Sequence, residues 1–75
     1  MSVKEAMYNT ALAEFHSQRD KAIATARIYL EHPVGIGEHP QVIDEFIKQI
    51  KIAAESEEAA SMLVDTFRDE ITQED

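Results

Sequence analysis

Residues 32–40 read His-Pro-Val-Gly-Ile-Gly-Glu-His-Pro and hold both glycines, both prolines and two of the three histidines of a 75-residue chain. The prolines push the residues just ahead of them away from the α region. Gly35 and Gly37 permit backbone angles that a Cβ forbids, and they leave amide N–H groups open to an approaching group. Three chemistries are open to such a stretch. It is a pure turn, with the histidines as caps or surface residues. It is an anion site, in which Gly35, Gly37 and the amides of a helix that starts at Pro40 face a phosphate. Or it is a metal site, with His32, Glu38 and His39 as nitrogen and oxygen donors. Asp44 and Glu45 weigh against the anion, since they already complement a helix dipole. The spacing is no established zinc pattern. A third glycine and a preceding strand, which a dinucleotide fingerprint requires, are missing.

Outside this stretch few residues suggest chemistry. Arg19 and Glu57 each interrupt an otherwise apolar seam, which predicts either a paired charge that fixes register or an arginine awaiting an anionic ligand. Lys21 and Arg27 add positive charge to the same helix. Tyr8 and Tyr29 sit at seam positions and suit packing, and Tyr29 is the better placed to stack on a base. His16 reads as a surface or seam-edge residue. The serines lack a base at convincing spacing, and Glu38 beside His39 is too common a pair to mean acid–base work without a pocket. No catalytic set emerges, so no enzyme and no cofactor are expected.

The elements that must position these residues are helices. Ser2 with Glu5 three residues on has the capping-box spacing. It opens a helix predicted over about residues 3–31, rich in alanine, the residue least costly in a helix. Its seam is Tyr8, Leu12, Phe15, Arg19, Ala22, Ala26 and Tyr29, with Ile23 and Leu30 widening the stripe. A loop follows over 32–39. Proline suits a first helical position, so a second helix is predicted over about 40–71. Its expected seam is Ile43, Phe46, Ile50, Ala53, Glu57, Ala60, Val64, Phe67 and Ile71, flanked by Ile47, Ala54 and Leu63. The last few residues are expected to fray. Residues 1–75 thus form a single all-α domain, an antiparallel two-helix hairpin. Such a hairpin buries too little apolar area to be secure alone. Alanines on both helices permit close approach, and a helical-bundle homo-oligomer, a dimer or tetramer, is expected.

Composition narrows the partners. The formal net charge is -8, with the excess in Glu55, Glu57, Glu58, Asp65, Asp69, Glu70, Glu74 and Asp75. That balance lacks the basic stripe of a nucleic-acid binder, so DNA is not expected as a partner. The acids are spread along the helix as a solvated face rather than one dense run. The chain has no cysteine, which removes disulfides, thiolate metal sites and thiol nucleophiles. No stretch approaches the roughly 20 apolar residues of a membrane span, and no secretory leader pattern opens the chain.

The run Tyr-Leu-Glu-His-Pro-Val-Gly-Ile-Gly-Glu-His-Pro, residues 29–40, resembles short proteins carried by many tailed bacteriophages. Those proteins have a helix, a Pro-Val-Gly-(aliphatic)-Gly-Glu-His loop and an acidic second helix, an arrangement that covers nearly the whole chain here. Through them it resembles a family of anti-CBASS sponges, small helical oligomers that bind the cyclic oligonucleotide signal of a bacterial immune system without degrading it. The resemblance implies a cyclic dinucleotide ligand, such as cyclic GMP-AMP, held between subunits in the cytoplasm of an infected bacterial host. A ligand of that kind needs donors for two phosphates and flat faces for two bases, which a symmetric oligomer supplies twice. The candidates are Arg19, Lys21, Arg27 and Tyr29 on the first helix and Gly35, Gly37, Glu38 and His39 in the loop. The acidic balance departs from what an anion binder prefers, so any such site is local. The competing expectation is an acidic helical module that binds and inhibits, or scaffolds, a host protein.

Overall fold

A computed structural model describes residues 2–32 and 40–72, which form two helices, α1 (Val3–Glu31) and α2 (Pro40–Thr72). The loop predicted over 32–39 falls, apart from His32, outside the described residues. α1 starts with a complete capping box. The Glu5 amide donates to Ser2 Oγ and the Ser2 amide donates to Glu5 Oε1, both at 3.1 Å. Two amides that the first turn leaves without helical partners are thereby satisfied. α1 stops at His32, whose backbone leaves the helix (φ -126, ψ 68) while its amide still closes on the Ile28 carbonyl at 3.1 Å. Pro33 comes next in the sequence, and it disfavours a helical residue ahead of it.

The helices run antiparallel. Lys4 Nζ near the start of α1 donates to the Glu70 carbonyl near the end of α2 at 3.4 Å, and Arg19 meets Glu57 midway. The result is a rod of 59 × 18 × 14 Å with a radius of gyration of 16.9 Å. A compact 75-residue globule would have a radius of gyration of about 11 Å.

The centre of the rod is built from small side chains. Ala22 and Ala26 of α1 are buried with Ser56 and Ala60 of α2, and among the described residues no large side chain is fully buried. No buried side-chain nitrogen or oxygen among the described residues lacks a partner. The expected α1 seam is observed: Tyr8, Leu12, Phe15, Arg19 and Tyr29 are half-buried around the two buried alanines. The α2 seam is observed in part. Phe46, Ala53, Ala60, Val64 and Ile71 are buried or half-buried as expected, whereas Ile43, Ile50, Glu57 and Phe67 are exposed and Val42, Gln49, Ser56 and Leu63 turn inward instead. Close approach of two backbones selects the smallest residues for the contact line, and here Ser56 and Ala60 meet that condition. Gln49 and Ser56 are polar, so a search for apolar periodicity steps one residue past them.

Candidate functional site

Arg19 lies at mid-length, on the edge of the helix–helix seam. Its Nη1 donates to Glu57 Oε1 at 2.8 Å and its Nε donates to Asp20 Oδ1 at 2.9 Å, with the side chain 28% exposed. The hydrogen bond to Glu57, then the one to Asp20, raises its pKa above the ordinary arginine value. Of the two expectations for Arg19 and Glu57, the structure brings the pair together as a register-setting contact. These two bonds use two of the five N–H groups of the guanidinium.

The other candidates are dispersed. Lys21 and Arg27 are exposed. Lys21 is two residues from Arg19, roughly 200° around the helix, so those two do not share a face. Arg19 is also thirteen residues from the end of α1 at His32, about 20 Å along the axis. Tyr29 is half-buried and does reach the loop end of the rod. There it lines an apolar recess of about 90 Å³ with Leu30, Val42, Ile43 and Phe46. Gly35, Gly37, Glu38 and His39 lie outside the described residues. His32 is exposed at the C-cap of α1, and His16 is half-buried on the seam edge, as its position predicted. The first turn of α2 contains no acidic residue. Asp44 and Glu45 stand a turn further in, where the dipole effect has largely decayed, so the objection they raised to an anion at that helix start loses most of its force.

At the opposite end Met7, Tyr8, Ala11, Leu63, Phe67 and Ile71 line an apolar groove of about 260 Å³, with Lys4 and Glu70 at its rim. Tyr8 and Phe67, seam residues by their spacing, also line this groove, which spacing alone does not reveal. The available clue was Met7, apolar yet just outside the seam. A drug-sized ligand occupies roughly 300–1,000 Å³. Neither the loop-end recess nor this groove reaches that size, and the recess beside Tyr29 has no cationic residue in its wall. Among the described residues no group of three histidine, aspartate or glutamate side chains converges in a way that could hold a metal ion. None of the described helices is long and apolar enough to cross a membrane. No protein-family model, curated protein sequence or solved structure matches the chain.

Proposed function

We propose that the chain is a phage immune-evasion protein that sequesters a cyclic dinucleotide signal, such as cyclic GMP-AMP, without cleaving it. The reading is carried by one feature. The Tyr29–Pro40 motif, on which the phage resemblance rests, coincides with the loop end of the rod, where Tyr29 is half-buried beside an apolar recess. An aromatic ring there offers a base a stacking surface, worth about 1–3 kcal/mol per base. Arg27, two residues away and so on another face of α1, is exposed, and its planar fork suits the phosphate of a nucleotide shared between copies. A recess of about 90 Å³ holds a fraction of such a ligand, so the binding unit is a homo-oligomer, a dimer or tetramer, with copies sharing the nucleotide. Sequestration needs affinity and copy number and no catalytic group. Its place of action is the cytoplasm of the infected host, where the signal is made.

Incubation with cyclic GMP-AMP, removal of unbound nucleotide, heat release and chromatography test the reading. Intact nucleotide in the released fraction is the expected result. A cleaved product would make the chain an enzyme, and an empty fraction across a panel of cyclic dinucleotides would remove the reading. A second reading is favoured by the exposed carboxylates Glu55, Glu58, Asp65 and Asp69 on α2, which suit an acidic module that binds a basic face of a host protein. That module would retain no nucleotide in the same experiment.

A further inference from the structure

The displaced seam of α2 leaves a second apolar stripe on that helix. Ile43, Ile47, Ile50 and Ala54 follow one another in steps of four, three and four, the spacing of a helix–helix seam. The three isoleucines are 48%, 46% and 46% exposed. Leu30 of α1 borders the stripe at the loop end through the recess it shares with Ile43, and the Arg19–Glu57 pair closes it at mid-length. Single exposed apolar residues are ordinary, but a periodic stripe about three turns long calls for a partner.

Area indicates how large that partner surface is. The chain exposes 5720 Å². A compact monomer of 8.5 kDa would expose about 4,700 Å². The excess, roughly 1,000 Å², is comparable to the about 800 Å² that each partner contributes to a standard protein–protein interface. One more copy on one face would remove it.

Charge sets the orientation. Within α2 the half that carries the stripe has Asp44 and Glu45 balanced by Lys48 and Lys51. The other half has Glu55, Glu57, Glu58, Asp65, Asp69 and Glu70 against Arg68 alone. Two copies side by side in parallel would set these acidic halves against each other. Antiparallel copies joined through the balanced half point them in opposite directions.

We infer that two copies of the chain pair α2 against α2, antiparallel, about a two-fold axis that passes between Ile47 and Ile50. In this register Ile47 of one copy faces Ile50 of the other, and Ile43 faces Ala54. The inference rests on the oligomeric part of the proposed function and does not depend on the ligand.

The test uses the full chain without nucleotide. Because the chain has no cysteine, single replacements report cleanly. Ile47→Cys and Ile50→Cys are mixed and mildly oxidised. A disulfide needs Cα atoms within about 7 Å, so antiparallel pairing makes the mixed 47–50 dimer the main product. Met62→Cys, on the outward side of α2 and 64% exposed, should stay uncoupled. Homodimers at 47 and at 50 in preference to the mixed dimer would mean parallel copies and would overturn the inference. Coupling no greater than at Met62 would overturn it too. Sedimentation adds a second readout, with the parent chain at twice 8.5 kDa and Ile47→Glu associating at least tenfold more weakly. Should that variant unfold, the cross-linking result decides. Nucleotide retention by a chain that fails the cross-linking test would sink this interface alone, and cross-linking by a chain that retains no nucleotide would sink only the ligand.

Discussion

Arg19 shows how one residue can carry two expectations and how geometry separates them. Its charge at a seam position was legible from spacing, and so was Glu57 as its partner, because folding at 33–39 sets the two at nearly the same level. What spacing could not give was the second bond, to Asp20. Both bonds raise the pKa of Arg19, so its contribution to stability is present below the unfolded value and is lost only as pH rises through the still higher folded value. Between about pH 6 and 9 that contribution is constant. Thermal melts of the parent chain and of Arg19→Gln should therefore differ by the same small amount across that range. A difference that changes within it would mean the pair is not what Arg19 supplies. Arg27 is exposed and has no such anchor. Arg27→Ala should weaken retention of cyclic GMP-AMP about tenfold or more, the cost of losing a charge-assisted hydrogen bond, with helix content unchanged by circular dichroism. Gly37→Ala is expected to weaken it similarly. Unchanged retention in both variants would remove the loop and α1 from the binding site.

At the scale of the elements, the ends of both helices were readable and their mutual facing only in part. Ser2 and Glu5 announce the start of α1, Pro33 its end and Pro40 the start of α2, because capping and proline geometry are local. The α1 seam was equally readable, since every residue of that stripe apart from Arg19 is apolar or aromatic. The α2 seam was readable only in part. Its inward line includes Gln49 and Ser56, while Ile43 and Ile50 sit one residue away, and hydrophobic periodicity alone cannot tell a face turned to the other helix from one turned to another chain. The small-residue contact line makes a direct prediction. Ala26→Leu inserts bulk at a position 5% exposed and should destabilise the chain by about 1–3 kcal/mol in urea unfolding. Ala24→Leu, at an exposed position of the same helix, should not. Loss of the N-cap by Ser2→Ala should cost about 1 kcal/mol. Equal tolerance at positions 26 and 24 would contradict the packing described for the hairpin.

The whole molecule is a rod with a narrow centre of alanine and serine and with large aliphatic side chains on its outside. Folding fixes backbone at about 1–2 kcal/mol per residue, and a centre lined by small methyl groups offsets little of that. In the proposed assembly association supplies the missing burial, so the melting temperature should rise with protein concentration. Salt separates the two kinds of contact proposed. Copies with a formal charge of -8 repel each other, so added salt should strengthen their association, while an anionic ligand held by arginine should bind more weakly. The most direct measurement is native mass spectrometry at low micromolar concentration, with and without cyclic GMP-AMP. Even multiples of the 8.5 kDa chain that gain the mass of intact nucleotide are expected. A folded single copy, unchanged by the nucleotide, would rule out the shared site.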